Sequence, residues 1–259
     1  MEKHPSFNPV LKYEGRSILF HKNGKKAEQV SYFNGATIGT AYYFYPNGRV
    51  KKVLDYPPNL KKGVINDNQN SNFTILDYFD STGVQTVSKG NGYTVITNTD
   101  SMVVIEEGMF KDGKKDSIWK GQYKEAGHTY NEVYKQGDLI SGVQILPDGS
   151  NLNYEKLLAE PRYKDGMKFF YKLFATTFIY PQDARNSGVK GKVIISFNVK
   201  IDGTITDIHV FQSLSTSIDN EAIRALKNTG QWIPAKFRVT PVNFYYKFPI
   251  DLNLNISSY

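Results

Sequence analysis

Hydrophobic and polar positions alternate most cleanly in the C-terminal part of the chain. Val193, Ile195, Phe197 and Val199 alternate with Lys192, Ile194, Ser196, Asn198 and Lys200, which predicts a strand with one buried face. Asp202-Gly203 marks a hairpin, because that pair tolerates the positive φ of a tight turn. The return strand, Ile205 to Phe211, places Ile208 and Val210 inward and Asp207 and His209 outward. Further on, Val242, Phe244, Tyr246, Phe248 and Ile250 alternate with Asn243, Tyr245, Lys247 and Asp251, predicting a last strand. Helical spacing appears in Met167, Phe170, Tyr171, Phe174 and Phe178, and again in Ala222, Ile223 and Leu226. Pro181 suits the start of a short helix, 181–186, with Gly188 as its C-terminal cap. Thr216 and Asp219 are spaced as a capping box for the later helix, and Gly230 ends it. The predicted order is helix, strand, strand, helix, strand.

The first part of the chain repeats a different pattern. Tyr32-Phe33-Asn34-Gly35 leads through Gly39 to Tyr45-Pro46-Asn47-Gly48. Tyr134-Lys135-Gln136-Gly137 leads through Gly142 to Leu146-Pro147-Asp148-Gly149. Phe110-Lys111-Asp112-Gly113 lies between them, and Phe20-His21-Lys22-Asn23-Gly24 is an earlier partial copy. Each unit is an aromatic strand closed by a turn pair. A hairpin of this kind cannot bury its apolar side alone, so a row of them stacks into an elongated sheet. Lys61 to Asn72 is polar and reads as a loop. The stretch Tyr154–Glu160 is expected as a short helix ended by Pro161.

Composition narrows the chemistry. The chain has no cysteine, which excludes disulfides, thiol catalysis and cysteine-based zinc sites. No apolar run approaches the ~20 residues of a membrane-spanning helix, and the first residues carry no signal-peptide core. The net charge is +7. Residues 164–259 hold 12 basic and 7 acidic residues and so carry +5 of it, a field that favours acidic partners. His4, His21, His128 and His209 show no metal-ligand spacing. No nucleophile elbow, phosphate loop or dinucleotide fingerprint is present. Glu106 and Glu107 are neighbours on a strand and face opposite ways. The basic residues are scattered, which argues against nucleic-acid binding. A non-enzymatic chain with no catalytic residue, cofactor or metal is expected.

Two resemblances rest on these residues. The ordered set Tyr180-Pro181, Ala184, Gly188, Gly191, Val193, Phe197, Val199, Asp202-Gly203, Ile205, Val210, Ser213, Asp219, Ala222, Trp232, Pro234-Ala235 and Pro241-Val242 resembles the TonB C-terminal domain. Thr240 departs from the glycine often found there. The hairpins over 16–56 and 104–150 are similar to MORN-like repeats, and 61–100 depart from them. Together they imply an α+β chain. An all-β MORN-like sheet is expected over 1–155, a linker over 156–163, and a TonB C-terminal-like domain over 164–259. In the last, two or three helices pack on a three-stranded antiparallel sheet.

The TonB resemblance implies a cell-envelope, periplasmic protein that supports energy-coupled nutrient transport. Its partner would be an outer-membrane TonB-dependent receptor, whose TonB-box peptide adds a strand along Val242–Leu252. Val242, Asn243, Phe244, Tyr245, Tyr246 and Lys247 are the expected partner-binding residues, with Asn243, Tyr245 and Lys247 beside the peptide. Arg238, with Lys236, is expected in the preceding loop, facing acidic groups. Strand exchange between copies is a further implication, and membrane attachment would require an anchor or leader outside this sequence. The alternative is an anchorless periplasmic adaptor that uses the MORN-like sheet and the TonB-like edge for protein–protein contacts alone.

Overall fold

The computed structural model describes residues 13–58, 73–97, 103–124 and 127–252. The expected loop 61–72 lies outside them. The chain divides into two compact units, 1–153 and 154–259, and no described helix is long and apolar enough to cross a membrane.

Among the described residues of the first unit two six-stranded sheets form, each ordered as a meander. One holds β1 (Gly15–Phe20), β2 (Lys26–Phe33), β3 (Ala36–Phe44), β4 (Val50–Tyr56), β5 (Thr74–Phe79) and β6 (Gln85–Val87). The other holds β7 (Gly92–Thr97), β8 (Val103–Lys111), β9 (Lys114–Tyr123), β10 (Thr129–Lys135), β11 (Asp138–Ile145) and β12 (Asn151–Tyr154).

The turn residues explain the meander. At Asn34-Gly35, Asp112-Gly113 and Gln136-Gly137 both residues have positive φ, as the tightest two-residue hairpins require. A second type of turn recurs at His21–Gly24, Tyr45–Gly48 and Leu146–Gly149. There the glycine N–H returns to the first carbonyl at 2.8–2.9 Å, and Pro46 and Pro147 occupy the position whose φ proline presets. Asn23, Asn47 and Asp148 each accept the N–H two residues on, at 3.1, 3.0 and 2.8 Å. Successive turns are also tied together: Asn23 Nδ2 donates to the Pro46 carbonyl at 2.7 Å, and Asn47 Nδ2 to the Ser81 carbonyl at 2.9 Å.

The two sheets share a core. Leu54, Ile75, Tyr78 and Val87 from the first meet Phe110, Trp119 and Tyr134 from the second. Gly108 lies under the Trp119 indole and Gly121 under the Tyr130 ring, where a methyl group would collide with the aromatic atoms. Several acidic groups of this unit are partnered. The Tyr130 hydroxyl donates to Glu106 at 2.6 Å, and Lys115 pairs with the other oxygen of the same carboxylate at 2.7 Å. The Tyr134 hydroxyl donates to the fully buried Glu132 at 2.9 Å.

The second unit opens with β13 (Leu158–Ala159) and β14 (Arg162–Tyr163). The region expected as a short helix and linker is therefore extended. Its backbone groups pair with later strands, and Tyr163 is buried, its hydroxyl donating to the Thr229 carbonyl. Then follow α1 (Met167–Thr177), α2 (Gln182–Asn186), β15 (Lys192–Val199), β16 (Ile205–Gln212) and α3 (Thr216–Lys227). Three short strands, β17 (Trp232–Ile233), β18 (Ala235–Phe237) and β19 (Thr240–Val242), precede β20 (Phe244–Asp251). The main sheet is antiparallel and three-stranded, in the order β16-β15-β20. Val193, Ile195, Phe197 and Val199 of its central strand are wholly buried. Phe170 and Phe174 of α1 and Ile218, Ala222 and Leu226 of α3 join the same core.

Two local features carry the helices. Ser215, not Thr216, caps α3, its hydroxyl accepting from the Ile218 N–H at 3.3 Å. Asp219 instead receives the Ser213 hydroxyl at 2.5 Å, so the capping box expected from Thr216 and Asp219 does not form. Glu221 joins α3 to the end of α1. It accepts the Ile179 N–H at 2.6 Å and two Arg224 bonds at 2.6 and 2.7 Å, while Arg224 also donates to the Thr177 carbonyl. The Arg224 side chain, with the Ile179 N–H, holds the Glu221 carboxyl below its usual range.

Replacing Gly121 by Ala should destabilise the first unit by about 1–3 kcal/mol through overpacking against Tyr130, read by denaturant unfolding. Glu221→Gln should cost about 1 kcal/mol at neutral pH. The folded pKa lies below the unfolded one, so this stabilisation is present above the unfolded value and is lost as pH falls through the folded one. The difference between wild type and variant in thermal melts should therefore shrink on acidification.

Candidate functional site

The β15–β20 ladder runs through eight consecutive pairs without a bulge, from Lys192↔Asp251 to Val199↔Phe244. Residues in such a ladder alternate between pointing their N–H and C=O at the neighbour and pointing them away. The Leu252 N–H donates to the Gly191 carbonyl at 2.8 Å, which fixes the phase. Phe244, Tyr246, Phe248 and Ile250 bond towards β15. Tyr245, Lys247, Pro249 and Asp251 direct their backbone groups to the outer side. Among the described residues no strand pairs with that side.

The other edge, β16, is less regular. Its pairing with β15 is interrupted twice, and Asp207 has a φ of 52°. Bulges twist an edge away from further pairing. The uninterrupted edge of this sheet is thus β20.

Side chains around β20 separate by face. Tyr246 packs on Phe197 and Trp232, with ring centroids 5.6 Å apart in both cases. Phe248 is buried against Phe170 and Phe174. Tyr171 of α1 stands beside Phe248 at 5.7 Å and stays 44% exposed. On the opposite face Tyr245 is 50% exposed. Lys247 leans back across the sheet, its Nζ 4.0 Å from the centroid of Phe211 on β16.

The sequence-derived site residues are only partly brought together. Phe244, Tyr245, Tyr246 and Lys247 lie on β20. Val242 does not: it ends β19 and pairs with Ala235 in a separate small sheet, β13-β18-β19. Asn243 lies between the two strands and turns its Oδ1 to accept the Ile201 N–H at 3.1 Å, so it braces the hairpin instead of lining an outer strand. Arg238 is the largest departure. It was expected in an open loop facing acidic groups, yet it is 5% exposed, with a φ of 57°. The β18–β19 turn directs it inward, where its Nε donates to the Tyr154 hydroxyl at 3.2 Å and its N–H to the Leu157 carbonyl at 2.5 Å. Sequence reading missed Tyr171 and Pro249. Pro249 carried a signal, since a proline inside a strand belongs at an edge.

No acid–base constellation accompanies this edge, and among the described residues no group of three or more His, Asp or Glu is placed to hold a metal ion. In the first unit a shallow groove of about 450 Å³ crosses β9–β12, lined by Ile118, Lys120, Asn131, Val133 and Val143.

Substituting Tyr246 by Pro should remove a bond to β15 and leave its acceptor unpaired, destabilising the second unit by about 1–3 kcal/mol. Tyr245→Pro should cost far less, because position 245, like native Pro249, points its backbone outward. Equal destabilisation in urea unfolding would refute the assigned phase.

Residues 177–254, 78 of the 259, match the family model described as Gram-negative bacterial TonB protein C-terminal. Two curated relatives, the TonB proteins of two Helicobacter pylori strains, are each 39% identical over 56 residues, 21% of this chain and 20% of theirs. The chain therefore spans about a fifth of the length of the curated relatives it matches. Two solution structures of the H. pylori TonB C-terminal domain align at 22% and 25% identity. They cover 36% and 34% of this chain and 95% and 82% of theirs, with TM-scores of 0.27 and 0.26. The segment that carries α2, β15, β16, α3 and β20 is thus similar in sequence to the TonB C-terminal domain.

Proposed function

We propose that the second unit docks an extended N-terminal segment of an outer-membrane receptor along the outer side of β20, in support of energy-coupled uptake across the cell envelope. The observation that carries this reading is the position of β20. It is an uninterrupted edge strand, its outward backbone groups at Tyr245 and Lys247 flanked by the half-exposed Tyr245 and Tyr171 rings, and it lies inside the segment matched to TonB. Strand addition suits such an edge: the backbone supplies affinity and flanking side chains supply specificity. The basic surplus of residues 164–259 favours an acidic partner surface. On this reading the chain is not an enzyme and works in the periplasm.

Titrating the chain with a synthetic peptide of a receptor N-terminal segment should slow amide exchange at Tyr245 and Lys247. Tyr245→Pro should keep the fold and lose binding by at least about tenfold, since one outward donor is gone. Unchanged exchange along β20 at saturating peptide would sink the proposal.

A second reading concerns the first unit, an adaptor built on MORN-like hairpins. It is favoured by the apolar side chains left open on the β7–β12 sheet. Tyr93, Val95, Met109, Ile118 and Val133 are each at least 40% exposed, and residues of this kind grouped on one sheet suit a protein partner.

A further inference from the structure

We propose that Pro249 is a built-in stop that limits pairing on the outer side of β20 to 244–248, so that the edge accepts a short extended peptide and turns away a second copy of this chain. The proposal rests on the docking reading above and adds the length and kind of partner.

The ladder phase assigns four outward-pointing residues to β20: Tyr245, Lys247, Pro249 and Asp251. A new strand needs both an N–H and a C=O from each. Proline has no N–H, so position 249 can accept a bond but not donate one. The defect sits in the middle of the outward series, between Lys247 and Asp251. Pairing that begins at Tyr245 meets it after two residues.

The opposite end of the edge is closed as well. Asn243 is held by the Ile201 N–H, and the chain before it belongs to β19 in another sheet. The usable stretch is therefore bounded on both sides. Pro249 is itself exposed, so packing does not require a proline there. At its pair partner Ile194 no β15 bond is lost either, because that pair points away from the ladder. Its remaining physical effect is on whatever approaches from outside.

A peptide and a second copy differ in what they need from such an edge. A peptide brings only its own backbone and one or two side chains, which on the helix side would rest on Tyr171. A second copy must bring its own α1 and β19 alongside, and a two-stranded contact of a few residues is marginal by itself. Edge prolines are a recognised means of blocking such pairing.

The test uses the full chain with Pro249→Val, and Pro249→Thr as a second variant, both residues suited to strands. Each is first checked for an unchanged far-ultraviolet spectrum and unfolding midpoint. Sedimentation without any ligand should show wild-type self-association weaker than that of either variant by about tenfold or more. With the receptor peptide as probe, amide protection in wild type should stop at Lys247. In the variants it should extend to residue 249 and Asp251. Wild-type protection reaching Asp251, or variants with unchanged sedimentation and unchanged protection length, would overturn the stop. If the peptide protects no β20 amide in wild type or variants, the docking reading falls, and sedimentation alone judges Pro249.

Discussion

β15 is the strand on which the second unit depends. Its inward side chains Val193, Ile195, Phe197 and Val199 are fully buried, and both neighbours hang on its backbone. Whatever happens at the outer edge is transmitted through the eight-pair ladder it makes with β20. That ladder sets which backbone groups are spent internally and which are offered outward. The aromatic layer reinforces it: Phe170 touches Trp232 and Phe248, and Trp232 touches Phe197 and Tyr246. The first three of these are edge-to-face contacts, which add to simple burial. Because they span β15, β20 and α1, they fix the sheet against the helix with little freedom for the edge to slide.

The first unit reaches stability differently. Among its described residues no helix covers the sheets, and tyrosines, a tryptophan and partnered acidic side chains join the aliphatic residues of its interior. The carboxyls of the half-buried Glu106 and the buried Glu132 are met by tyrosine hydroxyls and Lys115, as polar groups taken out of water require. Lys52 shows the same accommodation: burial pushes its amine pKa down, while its Nζ sits 4.5 Å from the Tyr43 ring centroid. Glycine supplies the space, with Gly108 and Gly121 making room for the rings above them.

Much of this was legible in the alternation of residues. The strands around 193–199 and 205–211, the Asp202-Gly203 hairpin and the hairpin turns of the first part all follow from side-chain period and turn chemistry. The break between Val242 and Phe244 was not legible, because the apolar alternation runs through it without a fault. Only the partner of Val242, Ala235, reveals that the strand belongs elsewhere. Arg238 was hidden for a related reason. A charged residue between apolar ones reads as a loop tip, and nothing local announces a positive φ in an arginine. The phase of β20 was likewise out of reach, since side-chain alternation says which face is buried but not which backbone groups point to which neighbour.

The stacked turns of the first sheet bear on how such a sheet grows. Asn23 reaches the next turn on the same side across 23 residues, and Asn47 reaches its successor across 34. The contact is identical although the intervening chain is not the same length. The Asn47 turn receives an amide donor on its Pro46 carbonyl and presents one to the turn that follows, so the joint is indifferent to what lies between. Duplication of a strand pair would reproduce both halves of the joint in place. Length in this sheet is therefore a heritable variable that can change by whole units, without new turn chemistry having to be found at each step.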